Sequence, residues 1–133
     1  MTSPIEFSYD RERGIRTAVF RGVVGDHELL SAYEELLRDP DYAPDAHDLV
    51  DLRPVERFEV SAEALRRLVD MFRPIDRLGY RTRLAIVAGS DHAYGMARMY
   101  ELLRGDDVPE EIEVFRDMDA ALRWLGSPRD SRE

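Results

Sequence analysis

RTRLAIVAGSDHAYGMARMYELL, running from Arg81 to Leu103, is the stretch whose reading decides the fold. Leu84 to Ala88 is a continuous apolar run, as expected of a central strand buried on both faces. Gly89-Ser90-Asp91 is a turn. Ser90 and Asp91 can accept the orphan N–H groups that open a helix. That helix starts at Asp91 and carries Tyr94-Gly95-Met96-Ala97-Arg98-Met99-Tyr100-Glu101. A buried strand passing through a short turn into a helix is part of a parallel α/β sheet. Such sheets place their functional groups at the carboxyl ends of the strands.

The neighbouring segments extend the pattern in both directions. Ile5 to Tyr9 alternates apolar and polar residues, Asp10 to Gly14 is a polar turn, and Ile15 to Arg21 is rich in β-formers. The two strands should pair as an antiparallel hairpin. Gly25 or Asp26 caps a helix with Leu29, Leu30, Tyr33, Leu36 and Leu37 on one face, and Asp39-Pro40 ends it. Asp48 to Leu52 is a third strand. Arg53 to Val60 is a connector with an extended piece at Arg57 to Val60. Ser61 caps a second helix with Ala64, Leu65, Leu68, Val69 and Phe72 inward, which Pro74 kinks or ends. Glu111 to Arg116 is a fifth strand. Asp117 caps a last helix that buries Met118, Ala121, Leu122 and Leu125 and stops at Gly126.

The order β-β-α-β-α-β-α-β-α predicts a mostly parallel five-stranded sheet with an antiparallel N-terminal edge strand and four main helices. Residues 1–126 form one domain, and 127–133 read as a disordered tail. With sequential strands as neighbours, right-handed crossovers place every helix on one face of the sheet. The other face is then bare, including one side of Ile5, Phe7 and Tyr9 or of Ala18 and Phe20. A bare apolar face predicts a homodimer interface or a ligand surface.

Composition removes several classes of function. At 133 residues and 44% hydrophobic, the chain holds one ordinary core. No apolar run approaches the ~20 residues of a membrane span, so no integral membrane segment is expected. The N-terminus has no secretory h-region. The absence of cysteine excludes disulfides, thiolate metal sites and cysteine nucleophiles, and fits a cytoplasmic location. All 19 basic residues are arginine, which excludes Schiff-base lysines and a Walker-type phosphate lysine. A net charge of −9 disfavours nucleic acid and anionic membranes as partners. His27, His47 and His92 are scattered, so no metal is predicted. Gly22 and Gly25 make no dinucleotide fingerprint, and no cofactor is predicted.

Three segments carry a resemblance to a known family. They are Val50-Asp51-Leu52-Arg53, Ala85-Ile86-Val87 leading into Tyr94 to Tyr100, and Val114-Phe115-Arg116-Asp117 with Ala120 to Leu125. Over residues 5–126 the chain resembles the SpoIIAA-like superfamily, the fold of STAS domains. More narrowly it is similar to small stand-alone bacterial STAS/SEC14 domain-containing proteins. The resemblance implies a binding or switching module rather than a catalyst. In anti-anti-sigma factors a serine after the third strand is phosphorylated. Here Asp51 is followed by Leu52-Arg53-Pro54, and the nearest serine is Ser61.

The candidate site residues each have a plain reading and a functional one. Ser90, Asp91 and His92 open a helix, where they either cap it or hold an anion or small ligand. In direct succession they cannot form a catalytic relay. Gly95 inside a helix is read as close packing against the sheet, or as room for a ligand beside Tyr94 and Arg98. Tyr94 and Arg98, four apart, share a helical face. Asp51 and Arg53 either pair to orient the connector or wall a charged crevice with Asp91 and Arg98. Ser61 is a cap or a phosphoacceptor. Three functions follow. The first is a STAS-type module acting through contacts with an unidentified protein, as a homodimer. The second is a carrier of a small apolar or anionic ligand in a crevice at the carboxyl ends of the third and fourth strands. The third, ranked last, is an acid/base enzyme using Asp51, Asp91 or His92.

Overall fold

The structure, a computed structural model, describes residues 3–127. The predicted tail beyond Ser127 lies outside them. In chain order the strands are β1 (Ile5–Asp10), β2 (Ile15–Phe20), β3 (Gly22–Gly25), β4 (His47–Asp51), β5 (Val55–Glu59), β6 (Thr82–Val87) and β7 (Glu110–Phe115). The helices are α1 (Asp26–Arg38), α2 (Ala62–Met71), a short α3 (Arg73–Asp76), α4 (Asp91–Arg104) and α5 (Met118–Gly126). The main sheet has the order β1-β2-β4-β6-β7, antiparallel between β1 and β2 and parallel elsewhere. Gly14 closes the β1–β2 hairpin at a φ of 66°, a left-handed conformation that glycine adopts without strain.

The caps fall where the sequence puts them. The Oγ atoms of Ser61 and Ser90 each accept a hydrogen bond from the backbone N–H three residues on, at 3.1 Å, and Asp117 caps α5 in the same way. At α1, Glu28 Oε1 accepts the N–H of Gly25 at 2.8 Å. Pro74 stands in the first turn of α3, so the helical path breaks at Phe72 instead of bending. One element was missed. β3 and the connector strand β5 pair in parallel as a separate two-stranded sheet. It buries Val24 and Phe58. The sequence showed only the extended half of this pair, because a four-residue strand holding two glycines carries little β signal.

The expected bare face is corrected. Along β6, Leu84 and Ile86 join the large core with α1, α2 and α4, whereas Ala85 and Val87 join Leu49, Ala121 and Leu125 beneath α5. Alternate residues of a strand point to opposite faces, so α5 packs on the face away from the other helices. The handedness rule governs connections between two parallel strands. α5 follows the last strand and makes no such connection, so it is free to cross to the uncovered face. Ile5, Ala18 and Phe20 are buried on the helix-rich side, and Phe7 meets Tyr33 edge-on at 5.2 Å. The face left over β1 and β2 carries Glu6, Ser8, Asp10 and Thr17 beside half-buried Ile15 and Val19, which is not a broad apolar surface. Leu122, expected to face inward, is instead 38% exposed, and Trp124, not among the residues expected inward, packs against Phe115.

Candidate functional site

At the carboxyl ends of the strands, each predicted residue is occupied by a structural partner. Asp51, last residue of β4, accepts three hydrogen bonds from Arg53: from its N–H at 3.0 Å, from Nε at 2.9 Å and from Nη2 at 3.0 Å. Burial would raise the Asp51 carboxyl, but these bonds outweigh it and hold the pKa below the usual carboxylate range. Gly89 lies against this turn, where a Cβ would stand 3.4 Å from the Arg53 Cα. Asp91, at the start of α4, pairs with Arg116 at 2.7 Å, and the Arg116 guanidinium stacks on the Tyr94 ring at 4.5 Å. His92 Nε2–H donates to the Phe58 carbonyl at 2.9 Å, tying α4 to β5. Arg98 pairs with Glu101 at 2.9 Å and not with Tyr94. Asp51, Asp91 and His92 thus have separate partners. Arg116, which the sequence reading did not single out, joins Asp91 to Tyr94.

The surroundings of Gly95 and Ser61 bear on their two readings. A Cβ on Gly95 would meet nothing within 4 Å, so this glycine faces open space and close packing does not explain it. Ser61 donates its N–H and its Oγ–H to Asp26, both at 2.7 Å, and these bonds lower the Asp26 carboxyl pKa. A phosphate on Ser61 would stand against that carboxylate.

A largely apolar cavity lies elsewhere. Between the sheet and helices α1, α2 and α4, about 70 Å³ is open to the centre of a water-sized sphere. The walls are mostly apolar, with Leu68 and Phe72 from the α2–α3 stretch, Met96 and Ala97 from α4, and Val50 and Ile86 from the sheet. None of the residues predicted at the strand ends lines it. Its polar lining is Asp48, Glu110, Tyr33 and Tyr100. Asp48 is the second residue of β4 and Glu110 the first of β7, so this group sits at the amino ends of the parallel strands.

Behind these residues is a buried charge cluster. Arg16 grips Asp48 through Nε at 2.8 Å and Nη2 at 3.1 Å, and stacks on Tyr42 at 4.4 Å. Arg104, 1% exposed at its side chain, forks onto Asp76 at 2.8 and 2.9 Å and reaches Glu110 at 3.2 Å. Burial, then the negative charge of Asp48, raises the Glu110 carboxyl to about 7 against the pull of Arg104. Burial raises Asp48 as well, with Arg16 opposing it. Burial also raises Tyr33 and Tyr100, which are therefore neutral phenols. Among the described residues, neither hydroxyl has a protein hydrogen-bond partner, and both keep some accessible surface. A signal for this cluster was present in the sequence. Arg16 alternates with Ala18 and Phe20, and Asp48 with Val50, so both are charged residues at inward positions of strands.

Among the described residues, no group of three or more His, Asp or Glu is placed to hold a metal ion, and no helix is long and apolar enough to cross a membrane. The fold is similar to that of an uncharacterised protein from the DUF3478 family with a SpoIIAA-like fold, from Shewanella loihica PV-4. The TM-score is 0.54 at 18% identity, with 91% of each chain covered. The chain therefore has a SpoIIAA-like fold. No protein-family model and no curated protein sequence matches it.

Proposed function

We propose that this protein is a non-catalytic binding module that takes a small, largely apolar molecule into the cavity between the sheet and α1, α2 and α4. The observation that carries this reading is an apolar cavity with two unpartnered phenol hydroxyls in its wall. Protein interiors hold few voids larger than a water molecule, and buried hydroxyls ordinarily find partners. An occupant that fills the one and bonds the other accounts for both. On this measure the space is several times the ~10–15 Å³ that one water needs and below the few hundred Å³ of larger ligand sites. The occupant is accordingly a molecule of a few heavy atoms. Ligand-observed NMR with benzene and 1-butanol tests the reading. Wild-type protein should bind at least one of them, and Leu68→Phe, which extends a ring into the cavity, should abolish binding. Absence of wild-type binding, or binding unchanged in the variant, refutes it.

A second reading has its own support. Gly95, Met99 and Leu102 fall on one outer ridge of α4, with Met99 37% and Leu102 75% exposed. Such a ridge suits contact with another protein surface, including a second copy of this chain. Sedimentation should then show a wild-type dimer that dissociates in Leu102→Glu. A wild type that is monomeric at every concentration refutes homodimer formation.

A further inference from the structure

The polar part of the cavity wall is unbalanced in both charge and hydrogen bonding. Three carboxyl groups (Asp48, Asp76 and Glu110) meet two guanidinium groups (Arg16 and Arg104). With all of them ionised, the region holds one negative charge in excess. The hydrogen bonds leave open acceptors. Both Asp48 oxygens accept from Arg16, whereas Glu110 accepts from Arg104 through Oε1 alone. Glu110 Oε2 and the hydroxyl oxygens of Tyr33 and Tyr100 have no protein donor among the described residues. Tyr33 is 8% and Tyr100 7% exposed and the Glu110 side chain 14%, and the three oxygens keep some accessible surface on the cavity. All three residues line the same cavity.

Resting on the cavity as the binding site, we propose that its occupant is a small apolar primary amine, whose ammonium group is held by Glu110, Tyr33 and Tyr100. An ammonium carries three donors and no acceptor, which matches three open acceptors. Taking a charge out of water is costly unless an opposite charge waits in the site. Here that charge is already present and incompletely compensated. A carboxylate or phosphate head would add to the excess and find no donors beyond the two phenols. The one buried donor nearby without a partner, Arg104 Nε, belongs to a side chain that lines the smaller neighbouring cavity and not this one. The groups facing Glu110 are Asp48 from β4, Asp76 from α3, Arg104 and Tyr100 from α4, and Tyr33 from α1. At pH 8 Glu110 is ionised and an alkylamine is protonated, so the pair meets as opposite charges.

The test is an NMR titration at pH 8 with n-butylamine, 1-butanol and butyrate, which share a chain and differ in the head. Butylamine should bind at least ~10-fold more tightly than butanol, the ratio set by one favourable charge interaction. Butyrate should not bind. Glu110→Gln should erase the amine preference while butanol binding persists. Tyr100→Phe, which removes one acceptor and keeps the ring, should weaken butylamine several-fold and serves if the first variant does not fold. Equal affinities for butylamine and butanol overturn the head-group assignment and leave the cavity site standing, as does tighter binding of butyrate. Butylamine binding that neither variant alters overturns it too. If none of the three binds, nor benzene, the cavity reading itself fails.

Discussion

Glu110→Gln makes a quantitative test of the buried cluster. The wild-type carboxyl is raised in the folded protein from 4.5 to about 7, chiefly by burial and secondly by Asp48. Between those two values the folded chain keeps a proton that the unfolded chain has released. Stability from this group is therefore fully present below pH 4.5 and is lost as pH rises through 7. The gap corresponds to about 3 kcal/mol. Glutamine stays neutral throughout. The variant also loses the Arg104 contact, which gives an offset that varies little with pH. The predicted quantity is the change in the stability difference, variant minus wild type, which rises by about 3 kcal/mol from pH 4.5 to pH 8. Urea denaturation followed by Trp124 fluorescence in half-unit steps measures it. Asp26 and Asp51, whose pKa values are lowered, titrate alike in both proteins and cancel in the difference. Parallel stability curves over this range would show that Glu110 ionises as an ordinary exposed glutamate, and the charge argument for the cavity would go with it.

Gly95→Ala should raise stability by about 0.5–1 kcal/mol, because the new methyl meets open space and alanine is the better helix former. Thermal unfolding reads the gain, and a loss would mean that the α4 ridge is already packed against something in solution. Arg104→Met should cost about 3–5 kcal/mol by leaving Asp76 and Glu110 buried without their cation. Adding Asp76→Asn to it should recover part of that loss in chemical denaturation. Ser61→Ala should cost about 1 kcal/mol by removing the α2 cap. A double-mutant cycle with Asp26→Ala should then give a coupling clearly different from zero, and additivity would show that the Asp26 bond contributes nothing to stability.

The main sheet was legible because its signals are local. The apolar run Leu84 to Ala88, the hairpin turn at Gly14, and the caps at Ser61, Ser90 and Asp117 depend on neighbours within four or five residues. Their places follow from backbone chemistry that the sequence carries directly. The polar groups at the strand ends were legible as residues but not as a site. Asp51 with Arg53, and Arg98 with Glu101, are partners two or three residues apart that satisfy each other locally. The partnership of Asp91 with Arg116 spans 25 residues and depends on β6 and β7 lying side by side.

By itself, the sequence determined the order of the main elements, the parallel sheet with its antiparallel edge, and the absence of lysine and cysteine chemistry. Periodicity, capping and composition are properties of short segments or of the whole inventory, and neither needs a fold. Only the tertiary structure decided that α5 covers the second face, because nothing in a terminal helix encodes the side on which it packs. Only the tertiary structure brought Arg16, Asp48, Arg104 and Glu110 together. Each is a single charged residue at an inward position, and the cost of burying it is met by partners drawn from separate elements, as with Arg16 and Asp48, 32 residues apart. The cavity beside them is likewise a property of packing. Its walls are ordinary core residues, and which of them fail to touch is fixed only when the helices settle on the sheet.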